Sequence, residues 1–355
     1  MNRWIGAVTA SFVLMLATAS PIAAQDTTAQ AYPLRVAQQP QRWSLAWYLA
    51  REKGWWKALG IEPTMSMFAS GAPEVAAGAS GSWDVGGAGD IPAVLGAARY
   101  GLLTIGIADE EPAINAIMAS KDMAERYTSD PSLIKGKTIP VATNSTGHWA
   151  ASTCLEKKFG LKPDEYRFLN LSAPEINAVL TSGQYDISMV WSPNTYILAS
   201  TIGAKVICTG KDVALPITSN LLAMPSFADQ HPKIVAKFLA IYLRSAAWER
   251  AHPQQTIEYL SALYKSVGVN ISREHLSQEL QDRPTFTLAE QLKMFLPGLD
   301  GTSKVAQWSD QVAEFMKSAQ IIKRAPDAKK YVTGKYLLMI ENDRQLKAFA
   351  ENSQD

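Results

Sequence analysis

From residue 34 onward the chain alternates short apolar runs with longer amphipathic ones. Residues 34–38 put Leu34 and Val36 on one face, the period-two pattern of a strand. Residues 44–59 carry Leu45, Tyr48, Leu49, Trp55, Trp56 and Leu59 as apolar contacts, which predicts one helix ended by Gly60. Residues 61–68 alternate around Met65 and Met67 as a second strand. Ser70-Gly71 turns into a short helix, 83–88 reads as a strand, and Asp90-Ile91-Pro92 opens another helix with proline at a tolerated early position. Residues 102–108 and 113–119 are further strands.

The same alternation resumes after Ser120, with strands predicted at 138–142, 166–170, 186–190 and 205–208 and helices at 146–159, 173–181 and 192–201. The chain returns through a strand-like stretch at 220–224. Beyond it the pattern is almost wholly helical, as at 232–250 and 303–318. Strand–helix alternation at this spacing predicts an α/β fold whose mostly parallel sheets carry helices on both faces. The chain leaves the first unit, builds the second and comes back. That predicts a discontinuous first lobe of 33–119 plus 225–355 and a second lobe of 120–222, with crossings near Ser120 and Leu221. A two-crossing hinge suits a ligand held in the cleft between lobes.

The N-terminus has a different pattern. Arg3 is the only charged residue before Asp26, a largely apolar run covers 5–17, and small residues gather at 17–20 and 23–24. This is the layout of a secretory signal peptide over 1–24, cut after Ala24 or at Ala29-Gln30-Ala31. The apolar run is too short for a good transmembrane span. Over all 355 residues, 34 Lys+Arg face 33 Asp+Glu, a formal charge of +1 that falls to zero when Arg3 leaves with the leader. So balanced a chain has no global field to draw it onto nucleic acid. Four His and two Cys are too few and too scattered for a zinc framework. Export would expose Cys154 and Cys208 to an oxidising compartment. Two buried thiols are the expectation and a disulfide the alternative.

Open α/β sheets hold ligands beyond the carboxyl ends of their strands. Five loops there carry candidate chemistry. Thr143-Asn144-Ser145-Thr146-Gly147-His148 offers hydroxyls beside free helix N–H groups, which serves anion binding and simple N-capping equally. Gly86-Gly87-Ala88-Gly89-Asp90-Ile91-Pro92 lets backbone approach a ligand, with Asp90 read first as a helix cap and second as a cleft residue. It lacks the glycine order of a dinucleotide or phosphate loop. Ser70-Gly71-Ala72 is a further strand-to-helix turn, Val190-Trp191-Ser192-Pro193 delivers a Trp beyond a strand, and Thr218-Ser219-Asn220 stands at the second crossing. Gln38, Gln39, Arg42 and Trp43 follow the first strand, Arg42 as an anion partner or as a solvated cation. The nucleophile elbow and the His-Glu-x-x-His motif are absent. Glu110-Glu111 specifies no reaction, so the expectation is a binding protein, not an enzyme, with no cofactor or metal.

Several phrases form a resemblance. Ala50-Arg51-Glu52-Lys53-Gly54-Trp55-Trp56 with Leu59-Gly60-Ile61, then Gly89-Asp90-Ile91-Pro92, are similar to the sulfonate/nitrate/taurine family of periplasmic solute-binding proteins. So are Leu133-Ile134-Lys135-Gly136-Lys137-Thr138-Ile139, Ser145-Thr146-Gly147-His148-Trp149, Val190-Trp191-Ser192-Pro193 and Gln281-Asp282-Arg283-Pro284. The resemblance implies a type II periplasmic binding fold, two α/β lobes delivering a small organic anion to an ABC permease and, through it, the ATPase subunit. It implies Ser145 and Thr146 at the anion end of the cleft, Trp191 lining it, and Asp90, Ser70 and Gly71 contributing from the first lobe. A monomer is expected. The taurine branch carries an acid at the second crossing where this chain has Asn220, so the expectation leans toward a sulfonate without a required amine. Thiamine-pyrimidine precursor, nitrate or aromatic acid binding is the alternative, and a thiamine-pyrimidine synthase-like enzyme a more distant one.

Overall fold

The computed structural model describes residues 1–2 and 30–355. The leader reading falls on 3–29, outside the described residues. The first strand, β1 (Tyr32–Gln38), buries Leu34, Val36 and Ala37. A 3-10 turn at Arg42–Ser44 leads into α1 (Leu45–Glu52) and α2 (Trp55–Ala58). The single helix expected over 44–59 is therefore two. Gly54 stands between them at φ +69°, a left-handed backbone that only glycine adopts at little cost, and it turns both Trp55 and Trp56 into the core. Then come β2 (Ile61–Met67), α3 (Gly71–Ala79), β3 (Val85–Gly89), α4 (Asp90–Tyr100) and β4 (Leu103–Glu110).

The middle of the chain forms β5 (Asn115–Ala119), α5 (Lys121–Ser129), β6 (Thr138–Val141), α6 (Thr146–Thr153), β7 (Arg167–Asn170), α7 (Ala173–Thr181), β8 (Ile187–Trp191), α8 (Asn194–Ile202) and β9 (Lys205–Thr209). The helix expected over 146–159 changes character at Cys154, where a π-helical turn, Cys154–Lys158, continues α6. After β10 (Thr218–Ala223) the chain is helical: α9 (Pro225–Gln230), α10 (Pro232–Ala251), α11 (Pro253–Ser266), α12 (Arg273–Asp282), α13 (Leu288–Phe295), α14 (Lys304–Ser318), α15 (Lys335–Asn342) and α16 (Arg344–Glu351).

Three sheets result, ordered β2-β1-β3-β10-β4, β8-β5-β9 and β6-β7. They are mixed and not mostly parallel. β1 runs parallel to β2 and β3, but β10 runs antiparallel to β3 and β4, and β5 antiparallel to β8 and β9. The physical reason is exchange of strands. β5, grouped with the first unit in the sequence reading, leaves β4 to pair inside the second sheet, while β10 returns to sit between β3 and β4. A strand arriving from the other unit meets its neighbours head to tail. Residues 31–355 pack as one compact unit.

One core lies between the first sheet and α1, α10 and α11, where Trp47 meets Trp43 edge-on at 5.0 Å and stacks on Phe238 at 5.6 Å. The other surrounds β5, β6, β8 and α6 and takes in α4 and α14, with Phe315 of α14 lying 5.7 Å from His148 and 6.1 Å from Trp149. Cys154 and Cys208, expected as thiols, form a disulfide with Cα atoms 6.1 Å apart. The chain pattern gives no sign that the π turn after α6 lies against β9. Among the described residues no helix is long and apolar enough to cross a membrane.

Candidate functional site

A narrow cleft of about 40 Å³ opens where β1, β3, β6 and β8 end and where α3, α4 and α6 begin. That is well below the roughly 300–1,000 Å³ usual for small-molecule sites. Six of the nine residues expected there line it: Gln39, Ser70, Gly71, Ser145, Thr146 and Trp191.

Three helices point their N-terminal ends into this space. α3 starts after Ser70 and α4 after Gly89, and neither N-cap residue makes a capping bond with its own side chain. α6 starts after Ser145, whose hydroxyl accepts from His148 N–H at 3.3 Å and donates to the Ala142 carbonyl at 2.6 Å. Thr146 Oγ1 accepts from the Ile91 N–H of α4 at 3.4 Å, joining the starts of two helices across the cleft. Gly89 makes that approach possible, since a Cβ there would overlap Thr146 Oγ1 and lie 3.3 Å from Thr146 Cβ. The partial positive charges of these helix ends favour an anion.

Arg42, Asp90 and Asn220 lie beneath the wall and do not line it. Arg42, 4% exposed, donates to Glu249 at 2.7 Å and to Asp109 at 3.4 Å. Two buried carboxylates hold it, so it is neither solvated nor free for a ligand. Asp90 is neither cap nor cleft residue. It accepts from Thr218 N–H at 2.8 Å, from the Thr218 hydroxyl at 2.7 Å and from Asn220 Nδ2 at 2.8 Å, tying the start of α4 to β10. Burial pushes its pKa up to about 6 against those donors. Asn220 is spent on the same bond set.

Gln41, Trp43, Pro92, Glu111, Asn115 and Ser219, not among the nine expected residues, complete the lining together with Gly89 and Gly147. Pro92 and Ser219 stand within the loops already singled out, and Trp43 follows the first strand beside Arg42. Glu111 was visible only as half of a carboxylate pair. Behind it Arg283 is fully buried between helix α12 and the loop to α13. Arg283 pairs with Asp109 at 3.1 Å, with Glu279 at 3.3 Å and closely with Glu111, and donates to Gln41 Oε1 at 3.0 Å. Glu111 Oε1 also accepts a hydrogen bond from the Ser219 hydroxyl. The cluster sets two guanidinium groups, Arg42 and Arg283, against four carboxylates, Asp109, Glu111, Glu249 and Glu279. Burial raises the Glu111 and Glu249 carboxyls, with Arg283 and Arg42 respectively pulling them back. Under Gln39, whose amide donates at 2.6 Å, Glu74 is fully buried, and its carboxyl is pushed up to about 8.

The exchange of β5 and β10 between the two larger sheets, with a cleft where helix N-termini converge, is the arrangement of the periplasmic binding protein fold. Solved structures agree. The alkanesulfonate-binding protein SsuA of Xanthomonas axonopodis pv. citri, bound to MOPS, superposes with a TM-score of 0.70 at 20% identity over 86% of this chain and 99% of that one. The periplasmic aliphatic sulphonate binding protein SsuA of Escherichia coli gives 0.68 at 21% identity over 84% and 91%. The chain belongs to the NMT1/THI5-like family, whose pattern matches residues 43–256. It is 24% identical over 244 residues to a Bacillus subtilis (strain 168) protein assigned to aliphatic-sulfonate binding, spanning 66% of this chain and 72% of that relative. It is 28% identical over 191 residues to the taurine-binding periplasmic protein of Escherichia coli K12, spanning 51% and 56%.

Proposed function

We propose that this chain is the solute-capturing component of an ABC importer, exported to the periplasm by its leader. It holds a small organic anion, an aliphatic sulfonate or taurine-like compound, in the cleft lined by Ser70, Gly71, Ser145, Thr146 and Trp191. The observation that carries this reading is the convergence of three helix N-termini on a cleft whose lining, among the described residues, holds no Lys or Arg. Backbone N–H groups and hydroxyls recognise a tetrahedral anion head without a cation that would have to be desolvated. The Trp43 and Trp191 faces suit a short apolar stem. The names of its relatives agree with this chemistry.

The lobes are 32–110 with 218–355 and 115–209, joined by crossings at 111–114 and 210–217. Strand pairing supports those limits over the sequence-based ones. Ligand entering the open cleft touches both lobes and populates the closed state by its higher affinity for it. The closed monomer then docks on the permease, and its function is carriage without chemical change to the ligand. Mass spectrometry of the ligand released from protein purified without added solute tests this. An organic sulfonate or related anion is the expected mass, and a neutral sugar or a peptide would overturn the assignment.

A further inference from the structure

A second cavity, of about 440 Å³, lies between the end of α2, one face of α10, and helices α15 and α16. It shares no lining residue with the cleft and stands at the opposite end of β1. Gly60, next to its Leu59, accepts from Tyr32 N–H at the start of that strand, whereas Gln39 of the cleft follows the strand's end. The volume falls within the roughly 300–1,000 Å³ of small-molecule sites, and the floor is apolar as such sites are. Ala236 of α10 is buried there, while Leu59, Met339, Leu346 and Phe349 are only half-buried. Charge borders that floor. Lys233 and Lys237 stand one helical turn apart on α10, and neither pairs with a carboxylate among the described residues. Lys237 Nζ donates to the Leu59 carbonyl at 2.7 Å, which leaves two of its N–H bonds for another acceptor. Among the described residues the lining holds one carboxylate, Asp343, whose Oδ1 caps α16 by accepting from Gln345 and Leu346 N–H at 3.0 Å each.

We propose that this groove binds a single-chain anionic amphiphile, such as a medium-chain fatty acid, with its alkyl tail on the apolar floor and its head on Lys233 and Lys237. The ligand class follows from the lining. An uncharged apolar solute would desolvate the lysines without pairing them, and a short anion would leave the floor in water. A tail that ends in an anionic head satisfies both surfaces at once. The lysine stems lie along the apolar floor while their ammonium groups reach its edge, the usual arrangement for such side chains. This site is separate from the anion-binding cleft and does not depend on what that cleft holds.

Calorimetry of the leader-free protein, stripped of bound lipid, tests this with decanoate, hexanoate and decyltrimethylammonium, each below its micellar concentration. Burial of four further methylenes predicts decanoate binding roughly 10- to 200-fold tighter than hexanoate. Decanoate should also bind about 10-fold or more tightly than the equally long cation. The double replacement Lys233→Gln and Lys237→Gln closes that second gap, and Leu346→Glu abolishes decanoate binding. In wild-type protein alone, absence of decanoate binding, equal affinity for hexanoate or equal affinity for the cation each overturns the proposal. So does undiminished decanoate binding in a folded Leu346→Glu protein. Loss of decanoate binding in a folded Trp191→Ala protein would place the tail in the cleft and overturn it as well.

Discussion

Gly89 is the point where closure of the cleft is most open to perturbation. Its backbone, at φ −64° and ψ 173°, accepts any residue, so Gly89→Ala introduces no backbone strain. The added methyl would overlap Thr146 Oγ1 and sit 3.3 Å from Thr146 Cβ. Thr146 is β-branched and begins α6, so rotating its hydroxyl away leaves the second close contact in place. The starts of α4 and α6 must therefore part, breaking the Ile91 N–H bond to Thr146 at 3.4 Å. Overpacking of this kind costs about 1–3 kcal/mol. In a hinged protein the open form escapes the clash, so the cost falls on the closed, ligand-holding state alone. The expected result is affinity lower by roughly 5- to 150-fold with thermal stability of the ligand-free protein nearly unchanged. Titration of Gly89→Ala by intrinsic Trp fluorescence, beside ligand-free melting curves, reads both. Wild-type affinity in a normally folded Gly89→Ala protein would refute the closure contact.

Glu74 supplies a pH prediction. Burial lifts its pKa from 4.5 to about 8, so the folded state keeps a proton that the unfolded chain releases above about pH 4.5. Its contribution is fully present below that value and is lost as pH rises through about 8, a swing of roughly 5 kcal/mol at most. Glu74→Gln should raise Tm at pH 9 far more than at pH 5, and parallel Tm–pH curves would contradict the assignment. Opening the Cys154–Cys208 bridge, which spans 54 residues, should cost about 4 kcal/mol by loop entropy without altering ligand affinity. Urea unfolding with and without reductant reads this, and coincident curves would count against it. Arg283→Leu leaves Asp109, Glu111 and Glu279 without their shared cation and should destabilise the fold by roughly 3–5 kcal/mol in the same assay. A loss below about 1 kcal/mol would mean that the carboxylates are neutralised without Arg283.

Elements defined by local pattern were legible in the chain. The apolar stripe of α10, the strand-to-helix turns before α3 and α4, and the hydroxyl-rich start of α6 all stand where the residues placed them. What failed depended on partners distant in sequence. Asp90 looked like a cap because helix starts commonly carry one, but its partners, Thr218 and Asn220, lie 128 and 130 residues away. Arg42 meets Glu249 across 207 residues, and Glu111 meets Arg283 across 172. No periodicity encodes such pairs. The disulfide and the exchange of β5 and β10 were hidden for the same reason. A local miss, the break at Gly54, came from reading continuous apolar spacing over a glycine that the structure uses for its left-handed backbone.

The central claim, that the cleft captures a small organic anion, is tested most directly by isothermal titration calorimetry of the leader-free protein. The panel holds short sulfonates, aminosulfonates, nitrate, aromatic acids and an aminopyrimidine. The account predicts saturable one-to-one binding of at least one sulfonate, abolished when Thr146 or Trp191 is replaced by alanine. Failure of every organic anion to bind, beside clear binding of the uncharged or cationic members, would contradict it.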